Sequence, residues 1–187
     1  VAKEWTFDST RGVDIVMLAV AADEDYITQC RAQGMYPMAY YPHNVHFLWF
    51  AASFDAQSAT ALEAAKKVSS GVTDDMLREM PLLAGFRVVP YYALARFGKW
   101  DEVLAAPAPP SGNAFLIGVW HYVRGLAHVS RGQLEAADGE LAKLKALMSD
   151  PSLKEPLFSP NTSGGVLAVA GDQAGALAIE EGHTEHG

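Results

Sequence analysis

The sequence predicts an all-α chain of antiparallel helix pairs stacked side by side. Apolar residues recur at helical spacing along most of the chain, and glycines and prolines separate the periodic segments. Gly98 and Gly132 lie 34 residues apart, and a large apolar residue and then a smaller one follow each of them at the same distances. A repeat of this length is typical of helix–turn–helix units in tandem.

Composition narrows the classes of function. The chain has 187 residues, half of them apolar, which suits a single domain over residues 1–187. Its net charge of −8, with scattered basic residues, argues against nucleic acid as a partner. The apolar run from Val13 to Ala22 is too short to span a bilayer, so we predict no membrane insertion.

The single cysteine, Cys30, excludes an internal disulfide and fits a reducing compartment, so we predict a cytoplasmic protein. Cys30 lies inside a helical pattern, and we expect it to be packed rather than reactive. We also expect the chain to be part of a longer repeat protein.

The first predicted helix pair covers residues 13–33. It consists of two short segments, Val13 to Ala22 and Asp23 to Gln33, that meet at an acidic triplet. Acidic residues favour a helix start because they complement the helix dipole, so we place a helix start at Asp23. Gly34 then closes the second segment.

The second pair covers residues 43–70. Asn44 opens a helix that is apolar on nearly all sides, and such a helix is expected to be packed on both sides. A predicted turn near Ala56, Gln57 and Ser58 leads into the next helix, where alanines recur at helical spacing and Lys66 and Lys67 face outward.

The remaining pairs cover residues 73–105, 113–148 and 164–182. Thr73 is a predicted N-cap, Pro81 interrupts the segment after it, and Pro90 suits a first helical turn. A proline-rich connector at 107–112 precedes the longest helix, which begins near Asn113.

Residues at the turns carry a family resemblance. Gly125, Gly132, Leu134 and Ala137 match one repeat of the family pattern. Gly98 and Trp100 match the turn of the preceding repeat. With this pattern the chain resembles the tetratricopeptide repeat family. The stretches from Tyr41 to Leu48, from Phe97 to Glu102 and from Trp120 to Gly125 also resemble large bacterial proteins of divergent repeats. The resemblance covers most of the stretch from Asn44 to Ala178, although His121 and Val45 replace the early aromatic of the family pattern. It implies a right-handed α-α superhelix that binds partners on its concave face.

Histidine is the candidate for metal chemistry. The pair His43 and His46, like His183 and His186, has a spacing that can place two rings on one metal ion, and His121 and His128 lie seven residues apart. The alternatives are a helix-start and a groove-lining role for the first pair and a chain-tail role for the second. For His121 and His128 the alternative is a partly buried, hydrogen-bonded histidine between helices. The sequence contains no His-Glu-x-x-His motif, phosphate-binding loop or nucleophile–base motif.

Two hypotheses follow. The first is a non-catalytic scaffold without a cofactor, which binds a protein or peptide segment through its inner helices. Its predicted binding residues are Tyr41, His43, His46, Tyr92, His121, Tyr122 and Arg124. The outer helices then carry the solvated charges Lys66, Lys67, Glu135, Glu140, Lys143 and Lys145. The second hypothesis is a metal-binding or small-ligand-binding helical protein, or an enzyme, that uses His43, His46 and His121.

Overall fold

The computed structural model describes residues 9–31, 34, 36–110, 112–154, 156–158 and 161–162. The α-helices are α1 (Ser9–Cys30), α2 (Tyr41–Phe54), α3 (Ser58–Ser70), α4 (Asp74–Glu79), α5 (Ala84–Arg87), α6 (Val89–Arg96), α7 (Trp100–Ala105), α8 (Ala114–Val129) and α9 (Leu134–Leu147). A π-helical turn (Tyr36–Tyr40) leads into α2, and 3-10 turns lie at Pro81–Leu83 and Pro151–Lys154. One short antiparallel pair joins β1 (Pro156–Phe158) to β2 (Asn161–Thr162). The predicted all-α class is confirmed, while the pair at 164–182 lies outside the described residues.

The chain groups into two compact units, residues 1–71 and 72–187, called here the first and the second unit. In the first unit, α2 packs against both α1 and α3. Its core consists of small and β-branched side chains that are fully buried, namely Val13, Val45, Ala52, Ala61 and Ala65. The single solenoid over residues 1–187 and its superhelical path stay predictions.

Helix α8 is the centre of the second unit, where it packs against α6, α7 and α9. Phe115, Leu116 and Val119 belong to one buried cluster, and Val123 belongs to a second. Helices α8 and α9 lie close together at Gly125, where an added Cβ would make an ordinary van der Waals contact of 3.8 Å with Cβ of Glu140.

The two predicted glycine turns share one geometry. Gly98 and Gly132 have φ of 61° and 67°. The amide of the following residue bonds back over five residues in both turns: Lys99 N donates to Leu94 O at 2.9 Å, and Gln133 N to His128 O at 2.9 Å. This is the Schellman helix stop, which favours glycine at the left-handed position. The prediction that both glycines form the turn between paired helices is confirmed.

A third turn of the same kind closes α2. Gln57 N donates to Ala52 O at 2.9 Å, and Ala56 holds the left-handed position with φ of 56°. The prediction of a turn near Ala56, Gln57 and Ser58 is confirmed, although alanine stands where the other two turns have glycine. The pair α2–α3 is therefore closed in the same way as α6–α7 and α8–α9.

The prediction of two helices within 13–33 is wrong, since α1 runs without a break from Ser9 to Cys30. Asp23 does not start a helix. Its carboxylate is buried and accepts hydrogen bonds from Tyr36 Oη at 2.6 Å and from Asn44 Nδ2 at 2.7 Å. A carboxylate with two tertiary donors is stable in the middle of a helix. Cys30 is exposed at the end of α1, contrary to the packed position we expected.

Other local predictions are confirmed. The side chain of Thr73 accepts from Met76 N and caps α4, and Asn113 caps α8 through Leu116 N. Pro90 lies in the first turn of α6. The two capping side chains each accept a hydrogen bond from a backbone amide in the first turn of the helix. Pro90 has no amide hydrogen that could stay unpaired there.

Replacing Gly132 by alanine should lower the free energy of unfolding by about 1 kcal/mol, because a left-handed alanine costs roughly 1–2 kcal/mol and regains part of this in the unfolded chain. No atom lies within 4 Å of the added Cβ, so the cost is one of backbone conformation. Gly139→Ala is the control, since this residue lies inside α9 in open space and alanine there should stabilise by about 0.5–1 kcal/mol. Urea titrations of both variants measure the difference, and equal stability of Gly132→Ala and the parent protein would show the turn to be misassigned.

Ala56→Gly should change the free energy of unfolding in the direction opposite to that of Gly132→Ala. Glycine removes the cost of the left-handed alanine, and we expect a gain in the free energy of unfolding of up to about 1 kcal/mol. Ala142→Gly, at an exposed position inside α9, should instead lose about 1 kcal/mol. Urea denaturation distinguishes the two; a loss at Ala56 as well would contradict the left-handed turn.

Candidate functional site

The predicted binding residues fall into both units. Tyr41, His43 and His46 belong to the first unit, and the other four belong to the second.

Tyr41 is part of a polar contact that joins the three helices of the first unit. Its hydroxyl donates to Glu24 Oε1 at 2.7 Å, and the same oxygen forms an ion pair with Lys67. Lys67 and Tyr41 both lower the pKa of Glu24. Burial, followed by the bond to Glu24, raises the pKa of Tyr41. The tyrosine hydroxyl thus links α2 to α1 and has its partner inside the fold.

The two histidines of α2 lie in different surroundings. His43 is exposed, with its ring centroid 4.7 Å from that of Phe47. His46 is partly buried, and its ring lies 5.0 Å from that of Trp49. Burial, with a smaller contribution from His43, lowers the pKa of His46. His46 therefore favours the neutral form, and each ring packs against a different aromatic neighbour.

In the second unit, His121 and Arg124 converge on Glu140, which is 5% exposed. His121 Nδ1 lies 2.5 Å from Glu140 Oε2, and Arg124 Nε donates to Glu140 Oε1 at 3.3 Å. Lys143 Nζ lies 3.6 Å from the same Oε1. This set, called here the Glu140 cluster, fastens α8 to α9 at the level of Gly125.

Arg124 extends the cluster to the chain segment after α7. Its guanidinium donates to the carbonyl of Leu104 at 2.9 Å and stacks 4.6 Å from the ring centroid of Trp120. Trp120 Nε1 donates to the carbonyl of Ala106 at 3.2 Å. These bonds satisfy carbonyls at the end of α7, so Arg124 and Trp120 together hold α7 against α8.

The placement of Glu140 among the outward charges of α9 is wrong. Burial by itself would raise the pKa of its carboxyl, but the hydrogen bond from His121 and the charges of Arg124 and Lys143 outweigh burial. The pKa of Glu140 therefore lies below its ordinary value, and the buried carboxylate is ionised at neutral pH. The charge periodicity of α9 did not distinguish this residue from its solvated neighbours.

The two predicted tyrosines of the second unit pack into its core. Tyr92 and Tyr122 both lie against the two buried clusters. Burial, followed by the proximity of Tyr122, raises the pKa of Tyr92 to about 12. Burial also raises the pKa of Tyr122. Their role as binding residues stays a prediction, and Tyr122→Ala would also remove core packing.

Metal ligation stays a prediction as well. Within the described residues, no group of three or more His, Cys, Asp or Glu side chains is arranged to hold a metal ion. His128 Nδ1 lies 2.8 Å from Gln133 Oε1, at the turn before α9. His183 and His186 are outside the part of the chain that the structure describes.

A surface that sequence reasoning missed lies along α2. Phe47, Phe50 and Phe54 are 48%, 50% and 67% exposed. With His43 they recur at spacings of four, three and four residues, and the rings of Phe50 and Phe54 lie 4.7 Å apart. These four residues are called here the α2 aromatic row. We had predicted that α2 would be packed on both sides; the 4-3-4 spacing could have indicated a separate face.

No helix in the described part of the chain is long and apolar enough to cross a membrane. No protein-family model, curated protein or solved structure matches the chain. The resemblance to tetratricopeptide repeats therefore stays a prediction.

Glu140→Gln should lower the free energy of unfolding by about 2–4 kcal/mol at pH 7, because it leaves His121 and Arg124 without their buried carboxylate. The folded-state pKa of Glu140 is lowered, so its contribution is present above the unfolded pKa of about 4.3 and is lost as the pH falls through the folded value. The difference in the free energy of unfolding between the parent protein and the variant should therefore become smaller below about pH 4.

Chemical denaturation from pH 3 to pH 8 measures this difference. Glu135→Gln is the matched control, since Glu135 is exposed on the same helix, and it should change stability by less than about 1 kcal/mol. A Glu140→Gln protein as stable as the control at pH 7 would contradict the structural role of the cluster.

Proposed function

We propose that the protein is a non-catalytic interaction module that holds an apolar helical segment of another protein, or a peptide, on the α2 aromatic row. The observation that carries this proposal is the exposure of three phenylalanines on one side of a single helix. Aromatic side chains supply most of the binding energy in many protein interfaces, because they bury a large area with little loss of side-chain freedom.

The chemistry of α2 supports an apolar partner. From Tyr41 to Phe54 the helix contains no Asp, Glu, Lys or Arg. Binding on this face therefore removes no full charge from water, and the desolvation cost is low. Scattered apolar side chains are ordinary on protein surfaces, whereas a contiguous row of aromatic rings is typical of a recognition surface.

The spacing of the row supports a helical partner. Steps of four, three and four residues are those of the a and d positions of a coiled coil, which form a straight seam along one side of a helix. An amphipathic helix can lay its own apolar stripe along such a seam. The α2 aromatic row spans eleven residue steps, about 16 Å of helix.

The repeated turns support the proposal that α2 is a first helix. It precedes the Ala56 turn, as α6 precedes Gly98 and α8 precedes Gly132. In a superhelix of stacked pairs, the first helices line the concave side, as the resemblance implies. We therefore propose that the partner binds on the concave face that the resemblance to the repeat family implies.

In this proposal, the polar residues that the sequence predicted to bind the partner support the binding surface. Tyr41, His121 and Arg124 have hydrogen-bond partners within their own units. His43 belongs to the row, and His46 packs beside it. The histidine-based metal or ligand hypothesis is tested separately: stoichiometric zinc, nickel or iron in the purified protein would support it.

A photo-crosslinking amino acid, benzoylphenylalanine, at position 50 should capture a protein segment when the full chain is irradiated in an extract of its native source. The matched control carries the same group at Leu82, whose exposed fraction of 42% is close to the 50% of Phe50. We expect the segment to be captured at position 50 and absent at position 82. When the crosslinker is at position 54, the double substitution Phe47→Ala and Phe50→Ala should lower the yield of crosslinked segment by about tenfold or more.

Capture of the same set of proteins at both positions would show non-specific contact. A yield at position 54 that is unchanged by the two alanines would equally contradict the α2 aromatic row as the binding surface. Circular dichroism of each variant checks that its helices are intact.

A further inference from the structure

Helix α1 of the first unit presents a second exposed face. Arg11, Ile15, Leu18, Ala22 and Asp25 are all exposed, and they follow one another at spacings of four, three, four and three residues. Ile15 and Leu18 are 61% and 71% exposed. These five residues, called here the α1 seam, again have coiled-coil a and d spacing, with an apolar centre and one charge of opposite sign at each end.

The seam is self-complementary when it is reversed about its centre. Arg11 and Asp25 each lie seven residues from Leu18. If a second α1 lies antiparallel with the two Leu18 side chains opposite each other, each Arg11 faces the Asp25 of the other copy. Opposite charges at the flanks of a helix pair stabilise one orientation and exclude others.

Side-chain size fits the same arrangement. In the reversed register, Ile15 of one copy lies opposite Ala21 and next to Ala22 of the other, and both alanines are exposed. A large side chain facing small ones lets two helices approach closely. A parallel arrangement would instead place arginine against arginine and aspartate against aspartate, which is unfavourable.

We propose that the α1 seam docks on the α1 seam of a second copy of this chain, in an antiparallel pair with two-fold symmetry. Each contact then occurs twice, once on either side of the Leu18–Leu18 centre. The seam spans fourteen residue steps, about 21 Å. A single helix pair of this length lies near or below the standard interface size, so the dimer should be weak, with a dissociation constant between about 10 μM and 1 mM.

The proposal is independent of the α2 aromatic row. Phe50→Gln should therefore leave self-association unchanged, while Leu18→Gln should weaken it by at least about tenfold. Sedimentation equilibrium of the full chain over a range of concentrations up to about 1 mM provides the measurement.

Charge exchange gives the decisive test. Arg11→Glu alone places two acidic side chains opposite each other, and Asp25→Arg alone places two basic ones, so each variant should be monomeric. An equimolar mixture of the two should form a dimer, because both flanking pairs are then attractive, and the doubly exchanged chain should dimerise by itself. Glu63→Arg, an exposed charge reversal on α3, is the control and should behave as the parent protein.

Three results would overturn the proposal. The first is a parent chain that stays monomeric at every concentration, which would assign the face to a different occupant. The second is self-association of either single variant at parental strength. The third is a mixture, or a doubly exchanged chain, that stays monomeric although circular dichroism shows its helices to be formed.

Discussion

The fold depends on one repeated constraint, a left-handed residue that ends the first helix of each pair. Ala56, Gly98 and Gly132 hold this position, and in each case the next amide bonds back over five residues. The chain therefore reverses in the same way three times. Five residues after each turn stands a buried small or β-branched residue, Ala61, Val103 or Ala137. One backbone geometry thus determines which side of each second helix meets its partner.

Buried carboxylates provide a second constraint, because they hold neighbouring helices at fixed positions. Asp23 accepts from Tyr36 and Asn44 in the first unit, and Glu140 accepts from His121 and Arg124 in the second. A buried carboxylate is costly unless its oxygens are satisfied, so these contacts select one packing arrangement over its alternatives. Several polar residues that resemble a binding site are used by the fold itself.

The two proposed surfaces of the first unit consist of side chains that remain exposed after its helices have packed together. Helix α2 buries Val45 and Ala52 on one side and exposes phenylalanine rings on the other. Helix α1 buries Val13 and Val20 and exposes a seam around Leu18. Both exposed faces have heptad spacing, which is the spacing for contact with another helix. One is uncharged and suits an apolar segment; the other has opposite charges at its ends and suits its own copy.

Features fixed by local chemistry could be predicted from the sequence. The caps Thr73 and Asn113 and the two glycine turns depend on residues close to one another in the chain. Features that depend on distant partners could not. The periodicity of α9 does not show that Glu140 meets His121, and an acidic triplet inside α1 resembles a helix start until Asn44 and Tyr36 are seen to contact it.

The turn at Ala56 was predicted, although alanine gives no sequence signal for the left-handed conformation that it adopts there. One further failure has an equally physical reason. Hydrophobicity alone does not say whether the outer side of α2 is covered, and the phenylalanines there are exposed. The described structure locates the candidate surface, and the identity of its partner depends on chemistry outside the chain.

Hydroxyl-radical footprinting, analysed residue by residue, shows whether a partner covers the α2 aromatic row. The purified chain and the chain in an extract of its native source are oxidised under the same conditions. If the α2 aromatic row is the binding surface, Phe47, Phe50 and Phe54 should react in the purified chain and become protected in the extract, while the buried Phe115 stays unreactive in both. Unchanged oxidation of the three phenylalanines, with protection appearing instead in the second unit, would contradict this assignment of the binding surface.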